Sequence, residues 1–272
     1  MSIPIEGVPE RARHAWTRLR DQLVSILGDD IVAAWAFGGT VSAPAHAPFG
    51  DLDTFVVVRQ PIDDETARAI DEAQASIAEE LGLEWDTWYV IETDAGRPER
   101  PPHAFRDRLN ETWAIDRAHW LADRYVLLHG AEPAEIVATP TSEEIATALE
   151  SEVGHLESHV AAGDTDPYEA TYAILNGTRI LRAVKTGDVA ISKREAGVWG
   201  VEHLGGRWQP ALEAARRAYE GKASPSDTDL LAREMPPFVA MIRQRVSANR
   251  AAIPIGLRRL SEPPAGAPGR PK

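Results

Sequence analysis

A glycine pair closing one apolar run, and an Asp-x-Asp pair opening the next, limit this chain to few folds. Ile31-Val32-Ala33-Ala34-Trp35-Ala36-Phe37 leads into Gly38-Gly39-Thr40, and twelve positions after Gly39 comes Asp51-Leu52-Asp53-Thr54-Phe55-Val56-Val57-Val58. Both runs are short and apolar, which reads as two buried strands around a loop. Successive side chains on a strand point to opposite faces, so Asp51 and Asp53 project together, roughly 6.6 Å apart at ~3.3 Å per residue. Two like charges ~4 Å apart cost on the order of 4 kcal/mol at an effective dielectric near 20, so a fold that aims both at one point calls for a divalent cation. Mg²⁺ is the expected ion. Gly38 and Gly39 let the backbone approach a bulky anion closely. Singly, Asp-x-Asp and Gly-Gly are common. In this order they predict a site for phosphate and Mg²⁺.

A further segment offers carboxylates that could join this pair. Leu83-Glu84-Trp85-Asp86-Thr87-Trp88-Tyr89-Val90-Ile91 is rich in aromatic and β-branched residues and bounded by polar stretches, as a strand should be. Glu84, Asp86 and Trp88 share one of its faces. Either acid can complete the set by this reading.

With 272 residues and 43% hydrophobic content, the chain can bury a full core as one large domain or two modest ones. No apolar run approaches the ~20 residues of a membrane span, and the first residues lack the basic-then-apolar order of a signal peptide. A cytoplasmic protein without a membrane partner is expected. Cysteine is absent, so disulfides and thiolate metal sites are excluded. A net charge of −13 speaks against nucleic acid, whose non-specific binding depends on Lys and Arg displacing counterions. It suits a cationic small molecule.

Two textures divide the chain. Helical stretches at Pro9 to Leu27 and Asp63 to Leu81 alternate with short strands up to about residue 135, which is α/β (α+β) alternation around a short mixed sheet. From Thr141 onward the strands vanish. Helices are expected from Ser142, from Asp166-Pro167-Tyr168-Glu169 to a stop at Gly187, and over Arg194 to Leu204, Pro210 to Glu220 and Leu230 to Arg250. The expected domains are 1–138, an all-α bundle at 139–260, and a disordered Pro/Gly/Ala-rich tail at 261–272. Ser192-Lys193-Arg194-Glu195 reads as a capping box, which puts Lys193 and Arg194 in a first turn where the macrodipole disfavours cations. A bound anion would relieve that conflict, because a helix start with free amides and a lysine suits phosphate oxygens.

The strand, Gly-Gly, loop and Asp-x-Asp order resembles the signature of nucleotidyltransferases related to DNA polymerase β. Further along, Tyr172-Ala173-Ile174-Leu175-Asn176-Gly177-Thr178-Arg179, then Thr186-Gly187, Ser192-Lys193-Arg194-Glu195-Ala196-Gly197, Trp208 and Tyr219-Glu220-Gly221 resemble the C-terminal domain of streptomycin/spectinomycin adenylyltransferases. The resemblance runs from about Val32 to Gly221. It implies a nucleotidyltransferase domain followed by a helical one, ATP as co-substrate, and Arg179 and Lys193 at the ATP phosphates beside Gly38, Gly39, Thr40 and Ser192. Similarity of Trp85-Asp86-Thr87-Trp88-Tyr89-Val90 to the family's acid-bearing strand favours Asp86 over Glu84 as general base, and adds Asp86 to the metal pair. The family's drug pocket implies Asp164, Asp166 and Glu169 as acceptor contacts, with Trp113 or Trp120 as the aromatic wall. This chain carries Gly38-Gly39 where the superfamily has Gly-Ser, and one extra residue between Gly187 and Lys193.

The expected function is therefore Mg²⁺-dependent transfer of AMP from ATP to a hydroxyl of a cationic acceptor, an aminoglycoside, by a monomer. The alternatives are a catalytically silent nucleotide-binding module and an enzyme that AMPylates a protein hydroxyl.

Overall fold

The computed structural model describes residues 2–43, 51–163 and 166–249. Four strands, β1 (Ile31–Phe37), β2 (Asp51–Val58), β3 (Glu84–Ile91) and β4 (Val126–Gly130), form one sheet in the order β3-β2-β1-β4. β1 runs antiparallel to β2 and β4, while β2 and β3 are parallel. The sheet is thus short and mixed.

Its two faces follow from side-chain alternation. Leu52, Val56 and Val58 of β2 face α1 (Glu10–Leu27) and α3 (Asp64–Leu81), joining Ala34 and Ala36 of β1 in one core. α1 buries Ala12, Ala15, Trp16, Leu19 and Leu23, the spacing of a one-sided helix. Pro9 and Asp63 stand as N-caps just outside these helices, and the Asp63 carboxylate accepts the Thr66 N–H at 2.8 Å. On the opposite face Trp35, Phe55 and Val57 meet Trp113 and Trp120 of α5 (Trp113–Leu121). The Phe55 ring stacks 5.7 Å from Trp113 and lies 4.5 Å from Trp120. Asp51 and Asp53 share the side of the sheet that carries this aromatic cluster. Three four-residue helices, α2 (Gly38–Val41), α4 (Glu92–Ala95) and α6 (Pro133–Ile136), complete this half.

Five helices follow: α7 (Ser142–Ala161), α8 (Pro167–Thr186), α9 (Lys193–His203), α10 (Gln209–Tyr219) and α11 (Pro225–Asn249). Their apolar faces form one core around Ile174, Leu212, Phe238 and Ile242. Ala114, Ile115 and Ala118 of α5 pack into that core, so α5 presents its tryptophans to the sheet and its smaller residues to the bundle. Arg117 of the same helix is fully buried, ion-paired with Glu144 of α7 and donating to the Ala138 carbonyl.

Several boundaries differ from expectation, each for a local reason. α9 opens at Lys193, one residue ahead of the expected Arg194, with Ser192 in the capping position that its capping box implies. α11 opens at Pro225, ahead of Leu230, because Asp227 accepts the Ser224 N–H and pairs with Arg217. Sequence periodicity does not show α5 at all, since a segment packed on two sides has no polar face. The expected tail at 261–272 and Arg250 lie outside the described residues. Among those described, no helix is long and apolar enough to cross a membrane.

Candidate active site

The parallel register of β2 and β3 places Asp53 opposite Asp86 and Asp51 opposite Glu84. All four carboxylates therefore emerge on one face, at the sheet end nearest Gly38. Asp51, Asp53 and Asp86 line one cavity, whereas Glu84 lines an adjoining one. Burial, reinforced by the charges of Asp51 and Asp86, pushes the Asp53 carboxyl up to about 8. A cation set against it would offset that penalty. Among the described residues no three His, Asp or Glu side chains sit close enough to hold a metal by themselves. Mg²⁺ commonly takes one or two carboxylates and completes its shell with water and substrate phosphates, so the donor set of Asp51 and Asp53 fits it. Asp86 is exposed and accepts from Arg108 Nη2 at 3.4 Å, with that guanidinium 4.4 Å over the Trp88 ring.

Gly38 has a stricter role than loop flexibility. Its φ is +82°, and a Cβ there would fall 1.8 Å from Asp53 Oδ2, so the carboxylate occupies the space a side chain would need. Thr40 is buried, and its hydroxyl donates to the Asp51 carbonyl at 2.8 Å. The Thr40 hydroxyl thus anchors the start of β2. The Thr40 residue also lines the adjoining cavity beside Gly39.

The helical half supplies the positive charge. Ser192 caps α9, its hydroxyl accepting the Glu195 N–H at 3.2 Å, while Glu195 accepts both the Ser192 N–H at 2.7 Å and a two-pronged contact from Arg124 at 2.9 and 3.1 Å. This box fixes Lys193 in the first turn, with its ammonium 4.5 Å over the Tyr172 ring. Burial and then Arg179 hold the Lys193 ammonium below the usual lysine range, opposed by Asp51 and Asp53. Arg179 of α8 donates to Asn176 Oδ1 at 2.9 Å and lies 3.1 Å from His119 Nε2. Among the described residues its buried Nε has no hydrogen-bond partner. Burial, then Arg179 and Arg124, depress the His119 imidazole well below its ordinary range, and its Nε2 lies 3.1 Å from both Arg179 Nη2 and the Val189 carbonyl.

Two cavities, of about 420 and 620 Å³, share Asp51, Tyr168, Tyr172, Ser192, Lys193 and Tyr219 as walls. Together they form one cleft between the carboxylate end of the sheet and helices α8, α9 and α10. The inner cavity continues to Trp88, Asp116, His119, Glu152, Asn176 and Arg179. Sequence reading gave no site role to Asp116, His119 or Glu152, which come from α5 and α7 and form no local motif, nor to Tyr172, Asn176 and Tyr219, which it used only as marks of resemblance. Burial pushes the Asp116 carboxyl up to about 6, against hydrogen bonds from Thr112 and Asn110.

Of the expected acceptor contacts, Trp113, Trp120, Asp166 and Glu169 do not line this cleft. Trp113 is 1% exposed, its ring packed between Phe55 and Trp120 and its indole N–H donated to the Arg97 carbonyl; it is a core residue. Trp120 is buried in the same cluster. Asp166 caps α8 by accepting the Tyr168 N–H at 2.8 Å, and Glu169 lies 3.4 Å from His159. Neither lines the two cavities. Asp164 lies outside the described residues.

Carboxylates from two neighbouring strands of a small mixed sheet thus face a lysine and an arginine from an appended helical bundle. Residues 136–245 match the family described as aminoglycoside adenylyltransferase, C-terminal domain. The fold is similar to that of the spectinomycin adenyltransferase AAD(9) from Enterococcus faecialis, solved with ATP and spectinomycin. That likeness has a TM-score of 0.68 and 16% identity, and covers 86% of this chain and 98% of the other. The chain is thus similar to aminoglycoside adenylyltransferases in its residues 136–245 and in its fold. A mutant MntA–HpeT toxin–antitoxin structure also matches, at 11% identity over 53% of this chain and 94% of the other, but its TM-score of 0.24 carries no weight. A search of curated protein sequences finds no match.

Proposed function

We propose that the protein transfers AMP from ATP to a hydroxyl of an aminoglycoside, with Mg²⁺ held by Asp51 and Asp53. The observation that carries this reading is the opposition of Asp51, Asp53 and Asp86 on the sheet to Lys193 and Arg179 on the bundle across one cavity. Nucleotidyl transfer depends mainly on positioning and on neutralising charge at the phosphates. Mg²⁺, when bound, offsets triphosphate charge. Lys193 and Arg179 supply charge-assisted hydrogen bonds to phosphate oxygens from the other side. Arg179 is preset for this by His119 and Asn176, which hold its terminal nitrogens.

Asp86 is the proposed general base and Glu84 its alternative. Asp86 faces the inner cavity, where Asp116 and Glu152 add negative charge. It would take the proton of the acceptor hydroxyl, whose oxygen forms a bond to the α-phosphorus as the bond to pyrophosphate breaks. The products are the O-adenylylated acceptor and pyrophosphate. The fold shared with AAD(9) and the matching C-terminal domain support an aminoglycoside as acceptor. The direct test is incubation with Mg-ATP and a panel of aminoglycosides, followed by mass spectrometry for a gain of one AMP. Nucleotide binding without any AMP gain, on drugs or on added protein, would favour a silent binding module.

A further inference from the structure

Charge is unevenly divided between the two cavities of the cleft. The outer one sets Lys193 and Arg194 against Asp51 and Glu84, and is otherwise walled by side chains such as Leu175, Ala218 and Tyr219. That balance of charge with apolar and aromatic surface suits a nucleobase and its adjoining phosphates. Among the described residues five carboxylates line the inner cavity, against the basic side chains of Arg179 and Lys193. Such a surplus in a partly desolvated space calls for a cationic guest.

Three of the five already have a use. Asp51 and Asp53 form the strand pair assigned to Mg²⁺, and Asp86 is in contact with Arg108. Asp116 of α5 and Glu152 of α7 remain. Among the described residues neither lies within ion-pair distance of a lysine or arginine. Each is nevertheless held in place. Asp116 Oδ2 accepts from Thr112 at 2.9 Å and Asn110 at 3.2 Å, and Glu152 Oε2 accepts from Asn176 at 2.9 Å. These neutral donors orient one oxygen of each carboxylate, while the charges of Arg179 and Lys193 reach Asp116 and Glu152 only through space. The nearby wall already has the chemistry of a cation clamp, for Asp86 and Trp88 hold the guanidinium of Arg108.

We propose that Asp116 and Glu152 form the subsite that takes an ammonium or guanidinium group of the acceptor, and that this contact turns the acceptor's hydroxyl toward Asp86. The inference rests on the adenylyl-transfer reading for its acceptor but assigns residues that reading does not need.

The test measures binding, not turnover. Spectinomycin and streptomycin are titrated calorimetrically into protein saturated with Mg²⁺ and a non-hydrolysable ATP analogue, using wild type, Asp116→Asn and Glu152→Gln. Each variant should weaken drug binding about tenfold or more, since each removes a charge-assisted contact. Affinity for the ATP analogue should stay within about twofold of wild type. Repetition with spectinomycin acetylated at both amines, which removes its positive charge, separates charge from shape: there the variants and wild type should bind alike, a pattern general misfolding would not give. Unchanged drug affinity in both variants, or failure of every cationic probe to bind wild type, overturns the subsite. Charge-dependent binding without AMP transfer would sink the adenylylation reading and leave the subsite standing.

Discussion

Asp53 joins the chemistry of the site to the stability of the fold. Its carboxyl rises from an ordinary value of 3.8 to about 8 in the folded protein, and that of Asp116 to about 6. A group that binds its proton more tightly when folded stabilises the fold below its unfolded value, and that contribution is lost as pH rises through its folded value. Asp116 has lost its share by about pH 6, leaving Asp53 as the contributor of this pair between about pH 6 and 8. Metal-free protein should therefore melt at progressively lower temperature from pH 6 to pH 8. Added Mg²⁺ should restore stability most at the upper end, and Asp53→Asn should flatten the profile and abolish turnover. Differential scanning fluorimetry in EDTA and in Mg²⁺ measures this; parallel profiles for wild type and Asp53→Asn would remove Asp53 from the role. Asp86 calls for a different test, because a general base acts on the acceptor's proton and contributes less to holding Mg-ATP. Asp86→Asn should retain near-normal ATP affinity while kcat falls by about 10²–10⁴, with Glu84→Gln mild. A dead Glu84→Gln beside a healthy Asp86→Asn would reverse the assignment. The Asp-x-Asp pair and the acids of β3 were legible from sequence because strand period alone decides which residues share a face. The requirement for Gly38 was legible only as permissiveness, since its contact with Asp53 is made across the turn.

Among the elements, α9 shows how a local motif can position a long-range contact. Ser192, Glu195 and Arg124 lock its first turn, and the lock holds Lys193 against Tyr172 and toward the sheet carboxylates. Ser192→Ala should cost about 1 kcal/mol, the usual worth of an N-cap, and lower the melting temperature by roughly 2–4 °C for a chain of this size. It should also raise the KM for ATP. Lys193→Ala should raise that KM roughly tenfold or more, and that of the acceptor by less, because charge-assisted hydrogen bonds contribute ~1.5–3 kcal/mol. A stability loss without any change in ATP kinetics would separate the cap from nucleotide binding. Caps are short-range signals, which is why the starts of α8 and α9 could be read to within a residue from Asp166-Pro167 and Ser192-Lys193-Arg194-Glu195. α5 offers the opposite lesson. Trp113, Asp116, Arg117 and His119 lie within seven residues, yet one packs in the aromatic core, one faces the cleft, one is a buried ion pair and one braces Arg179. A helix buried on several sides has no single apolar stripe, so neither its presence nor the placement of Trp113 could be inferred from periodicity.

At the scale of the whole molecule, the net charge of −13 and the acid surplus of the inner cavity act in the same direction. A surface potential of one sign raises the local concentration of an oppositely charged ligand and slows the approach of one with like charge. Exposed charges farther apart than the Debye length, ~10 Å at 0.1 M salt, are largely screened, while pairs inside a cleft are screened much less. The two co-substrates should therefore respond differently to salt. Raising ionic strength from about 0.02 to 0.3 M, with Mg²⁺ held constant, should lower kcat/KM for a cationic aminoglycoside severalfold. The corresponding value for Mg-ATP, which keeps net negative charge, should hold steady or rise. Varying each co-substrate at saturation of the other separates the two effects, and matched sodium and potassium salts check that charge screening is the cause. In Glu152→Gln the acceptor's salt response should persist, because long-range steering comes from the whole surface, while its baseline affinity drops. A salt response equal in size and sign for both co-substrates would show that the uneven charge of the molecule has no part in selecting the acceptor.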